Sequence, residues 1–230
     1  MQNLIDGIVR AIQLLFQGDP EVVRITLLSL KVSGVATLIS ILIGLPLGTF
    51  LALVKFRSRQ FWISLINTGM ALPPVVVGLV VSIFLWRSGP LGALKLIYTP
   101  AAIVIAQVLI SFPLAAGLTI SSLQQLDPRL RVQLLGLGAS KFQMILSLWK
   151  EARLALVAAL IAAFGSVISE VGASMMVGGN LKGSTRVLTT AIVLETSRGE
   201  FASAIALSII LLGLAFLVNF ALTTLQQRRK

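Results

Sequence analysis

"LRVQLLGLGASKFQMILSLWKEARLAL", Leu130–Leu156, lies between two long apolar runs and brings together Arg131, Lys141, Lys150 and Arg153. Just before it, Asp127-Pro128 reads as an N-cap followed by proline at the first helical position. Gly136 and Gly138 end that short helix. Gly138 suits the left-handed position after a helix, where a β-carbon would clash. Ser140, with Gln143 three residues on, forms a capping box and starts a second helix. The stretch therefore predicts helix, glycine corner, helix. Leu130, Leu134, Leu135 and Leu137 cannot all pack on one short helix, so some of them meet another protein. The whole connection, 124–151, is longer than an idle loop needs to be.

What flanks this hairpin sets its address. Of the 230 residues, 57% are hydrophobic and 12% charged, against about 25% charged in a soluble domain. Such a chain belongs in a bilayer. Five apolar stretches suffice to cross it, at 22–54, 61–86, 97–123, 152–177 and 201–225. The first opens on Asp19-Pro20-Glu21, a capped helix start, and Pro46 predicts a kink within it. The third carries Pro113. In the second, Pro73 and Pro74 remove two backbone donors and drive the chain out of the α region. The span is then either kinked against a neighbour or broken beside a partner or cavity. Residues 1–18 place Leu4, Ile8, Ala11, Ile12 and Leu15 on one face. That face predicts an interfacial amphipathic helix, or a terminus packed on a neighbour; Asp6 and Arg10 argue against a signal peptide. Residues 186–197 are too short to cross and read as a helix at the outer face, or a re-entrant one. The domain reading is this N-terminal helix, then one membrane domain over 19–230.

The net charge of +11 is scattered between spans, which excludes a nucleic-acid face and fits positive residues flanking membrane helices. Eleven of the 19 Lys and Arg fall on one side of the alternating topology. They are Lys55, Arg57 and Arg59, then Arg129, Arg131, Lys141, Lys150 and Arg153, then Arg228, Arg229 and Lys230. That side is expected in the cytoplasm, with the N-terminus outside and the C-terminus inside. The chain has no Cys and no His, which removes thiol chemistry, imidazole metal sites and the usual general base. No catalytic or metal-ligating set emerges. "GGNLKGST" (178–185) spaces its glycines like a phosphate loop but lacks the lysine and a preceding strand, and "GLGASK" (136–141) lacks the third dinucleotide glycine. The chain has no nucleotide site of its own.

"LGASKFQMI" after an acid-proline start resembles the loop shared by permease subunits of ABC importers. In that family Glu-Ala-Ala precedes an invariant glycine, here matched by Gly138. This chain has Val132-Gln133-Leu134 at the Glu-Ala-Ala positions and Glu151 where a proline follows. From about Glu21 onward, "LLSLKVSGVATLISILIGLPLG" and "ALPPVVVGLVVSIFLWRSGPLG" are similar to molybdate- and tungstate-type permeases. "ISEVGASMMVGGNLKGSTRVLTTAIVLETSRGEF" resembles the tungstate branch. The resemblance implies an all-α integral membrane protein with the type I importer permease fold. It also implies a homodimer in a prokaryotic inner membrane that imports a tetrahedral oxyanion, tungstate foremost, by alternating access. Two separate ATPase subunits would hold ATP and Mg, and an extracytoplasmic binding protein would deliver the anion. Leu134, Leu135, Gly136, Leu137, Gly138, Ala139, Ser140, Lys141 and Phe142 would then form the coupling helix seated in an ATPase groove.

For the pathway or gate the candidates are Pro73, Pro74, Ser166, Ser169, Glu170 and Ser174. The serine hydroxyls are weak donors, suited to an anion that must also leave. Ala158, Ala162, Gly165, Ser166, Ser169, Gly172 and Ala173 make a stripe of small residues. It either packs closely on a helix or a second copy, or lines the path. Glu170 repels an anion and is expensive near mid-span. It is expected to be structural or gating, paired with a basic group or bonded to backbone amides. Arg24 and Lys31 share one face of the first span and either snorkel to headgroups or draw an anion inward. The alternatives are the same machine for molybdate, sulfate or another small solute, or a secondary transporter or channel without an ATPase. A membrane-embedded enzyme is disfavoured by the missing His and Cys.

Overall fold

The computed structural model describes residues 5–9, 12–13 and 18–227. Ten α-helices are described in full: α1 Pro20–Leu53, α2 Arg59–Met70, α3 Pro74–Leu85, α4 Pro100–Gln124, α5 Pro128–Gly136, α6 Lys141–Glu151, α7 Arg153–Ile168, α8 Gly172–Gly178, α9 Leu188–Ser197 and α10 Phe201–Gln227. Of the N-terminal helix expected over 1–18, residues 5–9 and 12–13 are helical, and Gly7 lies against Ile205 of α10. The rest of that expectation lies outside the described residues.

The centre of the fold is the pair α1 and α4. α1 starts as expected: the Asp19 carboxylate accepts from the amides of Glu21 (2.9 Å) and Val22 (3.0 Å), with Pro20 in the first turn. Its 34 residues extend over about 51 Å at 1.5 Å per residue, longer than the hydrocarbon alone requires. Gly44 and Gly48 face α4 so closely that a β-carbon on Gly44 would lie 2.9 Å from Ala115, and one on Gly48 2.6 Å from the Ala116 carbonyl. Backbones meet here with no side-chain layer between them. Ser40 and Ser111 join the two helices by a hydroxyl pair at 2.6 Å.

The proline pair does more than kink its span. α2 and α3 meet at 101°, and at 12 residues each either spans only about 18 Å. Pro73 caps α3 with its carbonyl, which accepts from Val76 (2.9 Å). The fourth stretch departs from expectation. A continuous helix over 152–177 was expected, yet α7 ends at Ile168 and α8 begins at Gly172. Among the described residues, three helices are long and apolar enough to cross alone: α1, α4 and most of α10. Five spans result if each of two bent pairs, α2 with α3 and α6 with α7 (73°), counts as one.

α5 and α6 form the expected hairpin. Asp127 caps α5 through the Arg129 amide (2.8 Å), and Gly138 has φ +83. The Ser140 and Gln143 side chains exchange hydrogen bonds with each other's amides. Leu130 and Leu134 turn inward onto Leu123, Met144, Leu148 and Ala152. Leu135, Leu137 and Phe142 stay outside. The hairpin grips the end of α1: Trp149 Nε1 donates to Thr49 Oγ1 (2.9 Å), and Arg131 to the Leu53 carbonyl (2.8 Å). Trp149→Phe removes one such bond, which contributes about 1 kcal/mol. A lowered thermal midpoint in detergent with unchanged helix content is the expected outcome, read by circular dichroism.

Candidate functional site: two helix breaks placed side by side

The turn at Pro73-Pro74 and the gap between α7 and α8 lie against each other. A β-carbon on Gly78 of α3 would meet Ala173 Cα of α8 at 2.7 Å, and one on Gly172 would meet the Val75 side chain at 2.6 Å. Val77, Val81 and Leu85 of α3 pack with Ala173 and Val177 of α8 and with Val32, Ile103 and Ala106 from α1 and α4. Two expected candidates, the proline pair and Glu170, are thus brought to one locality. The prolines lie at its exposed rim and Glu170 inside it.

Glu170 explains why the fourth stretch breaks. Its residue is 6% exposed. Oε1 accepts from the Ala173 amide (2.7 Å), and Oε2 from the Ser174 amide (2.9 Å) and the Ser174 hydroxyl (2.8 Å). The carboxylate takes up amides at the start of α8, where an anion also suits the helix dipole. Of the two arrangements foreseen for this carboxylate, amides rather than a basic group hold it. The break exposes carbonyls too, and these are answered from other elements. Gln107 of α4 donates from Nε2 to the Val167 carbonyl (3.1 Å), and Thr189 of α9 donates to the Glu170 carbonyl (2.9 Å). Gln107 and Thr189 were not singled out from the sequence. A lone Gln inside the apolar run 97–123 was the available signal. The partner of Thr189 becomes evident only once α9 turns inward, with Leu188 and Thr190 fully buried.

The serines part company. The Ser174 hydroxyl is committed to Glu170, whereas Ser169 is exposed and donates to the Gly165 carbonyl of its own helix (2.7 Å). Ser166 is half-buried. The small-residue stripe is divided in the same way. Ala159, Ala163 and Val167 carry the face of α7 buried in the chain's own core. Ala158, Ala162, Gly165, Ser166 and Ser169 lie on the neighbouring, more open face, and Gly165 has space around it. Gly172 and Ala173, beyond the break, pack on α3. "GGNLKGST" is a structural loop: the Thr185 hydroxyl bonds the Gly178 carbonyl, and the Leu181 amide donates to Thr185 Oγ1 (3.0 Å).

Residues 44–230 match the family described as "Binding-protein-dependent transport system inner membrane component". The chain belongs to this family. The permease is 41% identical to the "Tungstate uptake system permease protein TupB" of Peptoclostridium acidaminophilum, with 99% of the chain and 100% of that relative aligned. It is 34% identical to the Campylobacter jejuni protein of the same name, covering 96% and 92%. In three dimensions it resembles a chain of the inward-facing MetNI methionine ABC transporter, with a TM-score of 0.74, 20% identity, and coverage of 90% and 94%. The permease thus has the type I ABC importer fold and is a multi-pass inner-membrane component.

Glu170→Gln keeps the side-chain size but replaces one accepting oxygen by a donor facing donors. Hydrogen bonds to a charged group are worth about 1.5–3 kcal/mol, so a loss of roughly 2 kcal/mol in stability is expected. The measurement is the detergent-solubilised thermal midpoint together with uptake; unchanged values in both would mean the carboxylate is dispensable.

Proposed function

We propose that this permease carries a tetrahedral divalent oxyanion, tungstate foremost, into the cytoplasm, as one of two copies driven by two separate ATP-hydrolysing subunits. The observation that carries this reading is the α5–α6 hairpin. Its corner residues Leu137 and Phe142 are 85% and 69% exposed, yet the hairpin beneath them is anchored to α1 by Trp149 and Arg131. Large apolar side chains on a firmly held polar segment are the mark of a protein contact. A partner closing on ATP would move this hairpin and, through Thr49 and Leu53, the end of α1. Leu134 supports the hairpin from within, while Leu135, Leu137 and Phe142 form its outward surface. Gly136, Gly138, Ala139, Ser140 and Lys141 shape the corner between them.

Charge sorting supports an orientation. Lys55, Arg57, Arg59, Arg131 and Lys150 belong to elements at the hairpin end of α1, and Gln226 of α10 bonds Leu154 at that same end (2.7 Å). Glu21, Lys182 and Arg186 meet at the other end. The positive-inside tendency then puts the hairpin and the C-terminus in the cytoplasm and the start of α1 outside, where a binding protein would deliver its anion. The open small-residue face of α7, with Ser166 and Ser169, suits close approach of the second copy and a path between the two. Pro73, Pro74, Glu170 and Ser174 then belong to the structure of the gate rather than to the anion's contacts. Selection between tungstate and molybdate falls to the binding protein, since the two anions match in charge and nearly in size.

The test is purification with the ATPase after mild detergent extraction, alongside tungstate uptake. Two copies with two ATPase chains are expected. Leu137→Asp combined with Phe142→Asp, at exposed positions that spare the fold, should reduce retained ATPase and uptake by about tenfold or more, as for truncated interface anchors. Full uptake by the double variant would overturn the reading.

A further inference from the structure

On the oxyanion-import reading, one charged cavity of the permease is left without a role. Between the first turns of α1 and the loop 181–187 lies a cavity of about 300 Å³, lined by Glu21, Arg24, Lys182, Gly183, Ser184 and Arg186 among others. It sits at the end of α1 opposite the hairpin. Three cations and one carboxylate face it. The adjoining cavity of about 230 Å³ is different: there Asp19, Glu21 and Glu195 balance Lys182, Arg186 and Arg198. The two cavities share Glu21, Lys182 and Arg186, and Arg24 adds a further cation to the first alone.

Its carboxylate is held loosely. Glu21 pairs with Lys182 (2.7 Å) and Arg186 (3.1 Å), but the Glu21 and Lys182 side chains are 40% and 70% exposed. Pairs this exposed are weak and give way to a better anion. Arg186 is the reverse: its side chain is only 14% exposed, one Nη1 contact reaches Glu21, and its shielded Nε has no hydrogen-bond partner. A guanidinium offers five donors in a planar fork that matches two oxygens of one anion. The loop presenting these groups is firm. The amides of Ser184, Thr185 and Arg186 all donate to the Leu181 carbonyl (3.1, 3.0 and 3.1 Å). Arg24 is not merely reaching for headgroups; it donates to the Gly183 carbonyl and so crosses the cavity from α1.

We propose that this cavity is a receiving site for a tetrahedral divalent oxyanion. Arg186 and Lys182 hold its oxygens, Arg24 completes the positive wall, and Glu21 is the tethered carboxylate that the anion displaces and that later returns to expel it. Three cations converging on one cavity suit the several oxygens of one dianion. Competition from Glu21 keeps the hold weak, as a site that must hand its occupant onward requires. The field of the cluster also raises the local concentration of dianions over monovalent anions at the mouth.

The experiment uses the permease with its ATPase in nanodiscs, without binding protein, and measures sodium tungstate binding by equilibrium dialysis at fixed ionic strength. Saturable binding is expected, displaced by sulfate and not by equal nitrate. Arg186→Gln should weaken it about tenfold or more, as loss of a charge-assisted fork does. Glu21→Gln should strengthen it several-fold, a gain that misfolding cannot produce. Absent saturable binding, or equal binding by all three proteins, overturns the proposal. The other source of anionic oxygens is an acidic side chain of the binding protein. Loss of anion-free binding-protein docking in Arg186→Gln, with tungstate binding unchanged, would assign the cavity to that partner and also overturn the proposal. Tungstate uptake by the wild-type system with its binding protein is scored separately. Uptake without a saturable site defeats this inference alone, and a working site without uptake defeats the import reading.

Discussion

A chain that breaks its helix inside hydrocarbon must supply its own hydrogen-bond partners, because lipid offers none. The gap at 169–171 meets that demand from three directions. The Glu170 carboxylate takes the amides that open α8, Gln107 reaches from α4 to the Val167 carbonyl, and Thr189 reaches from α9 to the Glu170 carbonyl. α9 buries its first turn, which brings Thr189 to the gap, and Leu188 donates its own amide to the Ser29 hydroxyl of α1 (2.8 Å). A buried carboxylate is normally a heavy penalty. Here three donors offset it.

α1 joins the two ends of the molecule. At one end its first turns meet the Lys182–Arg186 loop through Glu21 and Arg24. At the other its last turns are held by Trp149 and Arg131 of the hairpin. Between these ends, the faces that look away from the core are oily. Leu27, Leu38 and Leu42 of α1 and Leu212, Phe216 and Phe220 of α10 are exposed, as suits side chains surrounded by lipid rather than by water.

How much of this was legible depended on whether the deciding partner was near in sequence. The hairpin was readable because its signals are local: Asp127 before Pro128, Gly138 at positive φ, and Ser140 three residues before Gln143. The turn at Pro73-Pro74 was readable as a disruption, though not its sharpness, since prolines state what a backbone cannot do rather than how far it bends. The fourth stretch misled because hydropathy does not register a cap built from a carboxylate. Glu170 left two arrangements open, a basic group or backbone amides, and its donors proved to lie three and four residues on. The small-residue stripe was read as one helix face, whereas it runs over two helices, α7 and, with Gly172 and Ala173, α8. Ala159 and Ala163, one step round from the expected Ala158 and Ala162, carry the packing in the core. Gln107 and Thr189 depend on contacts 60 and 19 residues away, and no local pattern announces them.

The glycine contact between α1 and α4 has a mechanical corollary. Where two backbones touch through Gly44 and Gly48, there are no intervening side chains to change rotamer and absorb a shift. A shift of one backbone is therefore passed directly to the other. The same close approach recurs between α3 and α8, where Gly78 lies against Ala173 and Gly172 against Val75, so the two interrupted segments are locked to each other as directly as the uninterrupted pair.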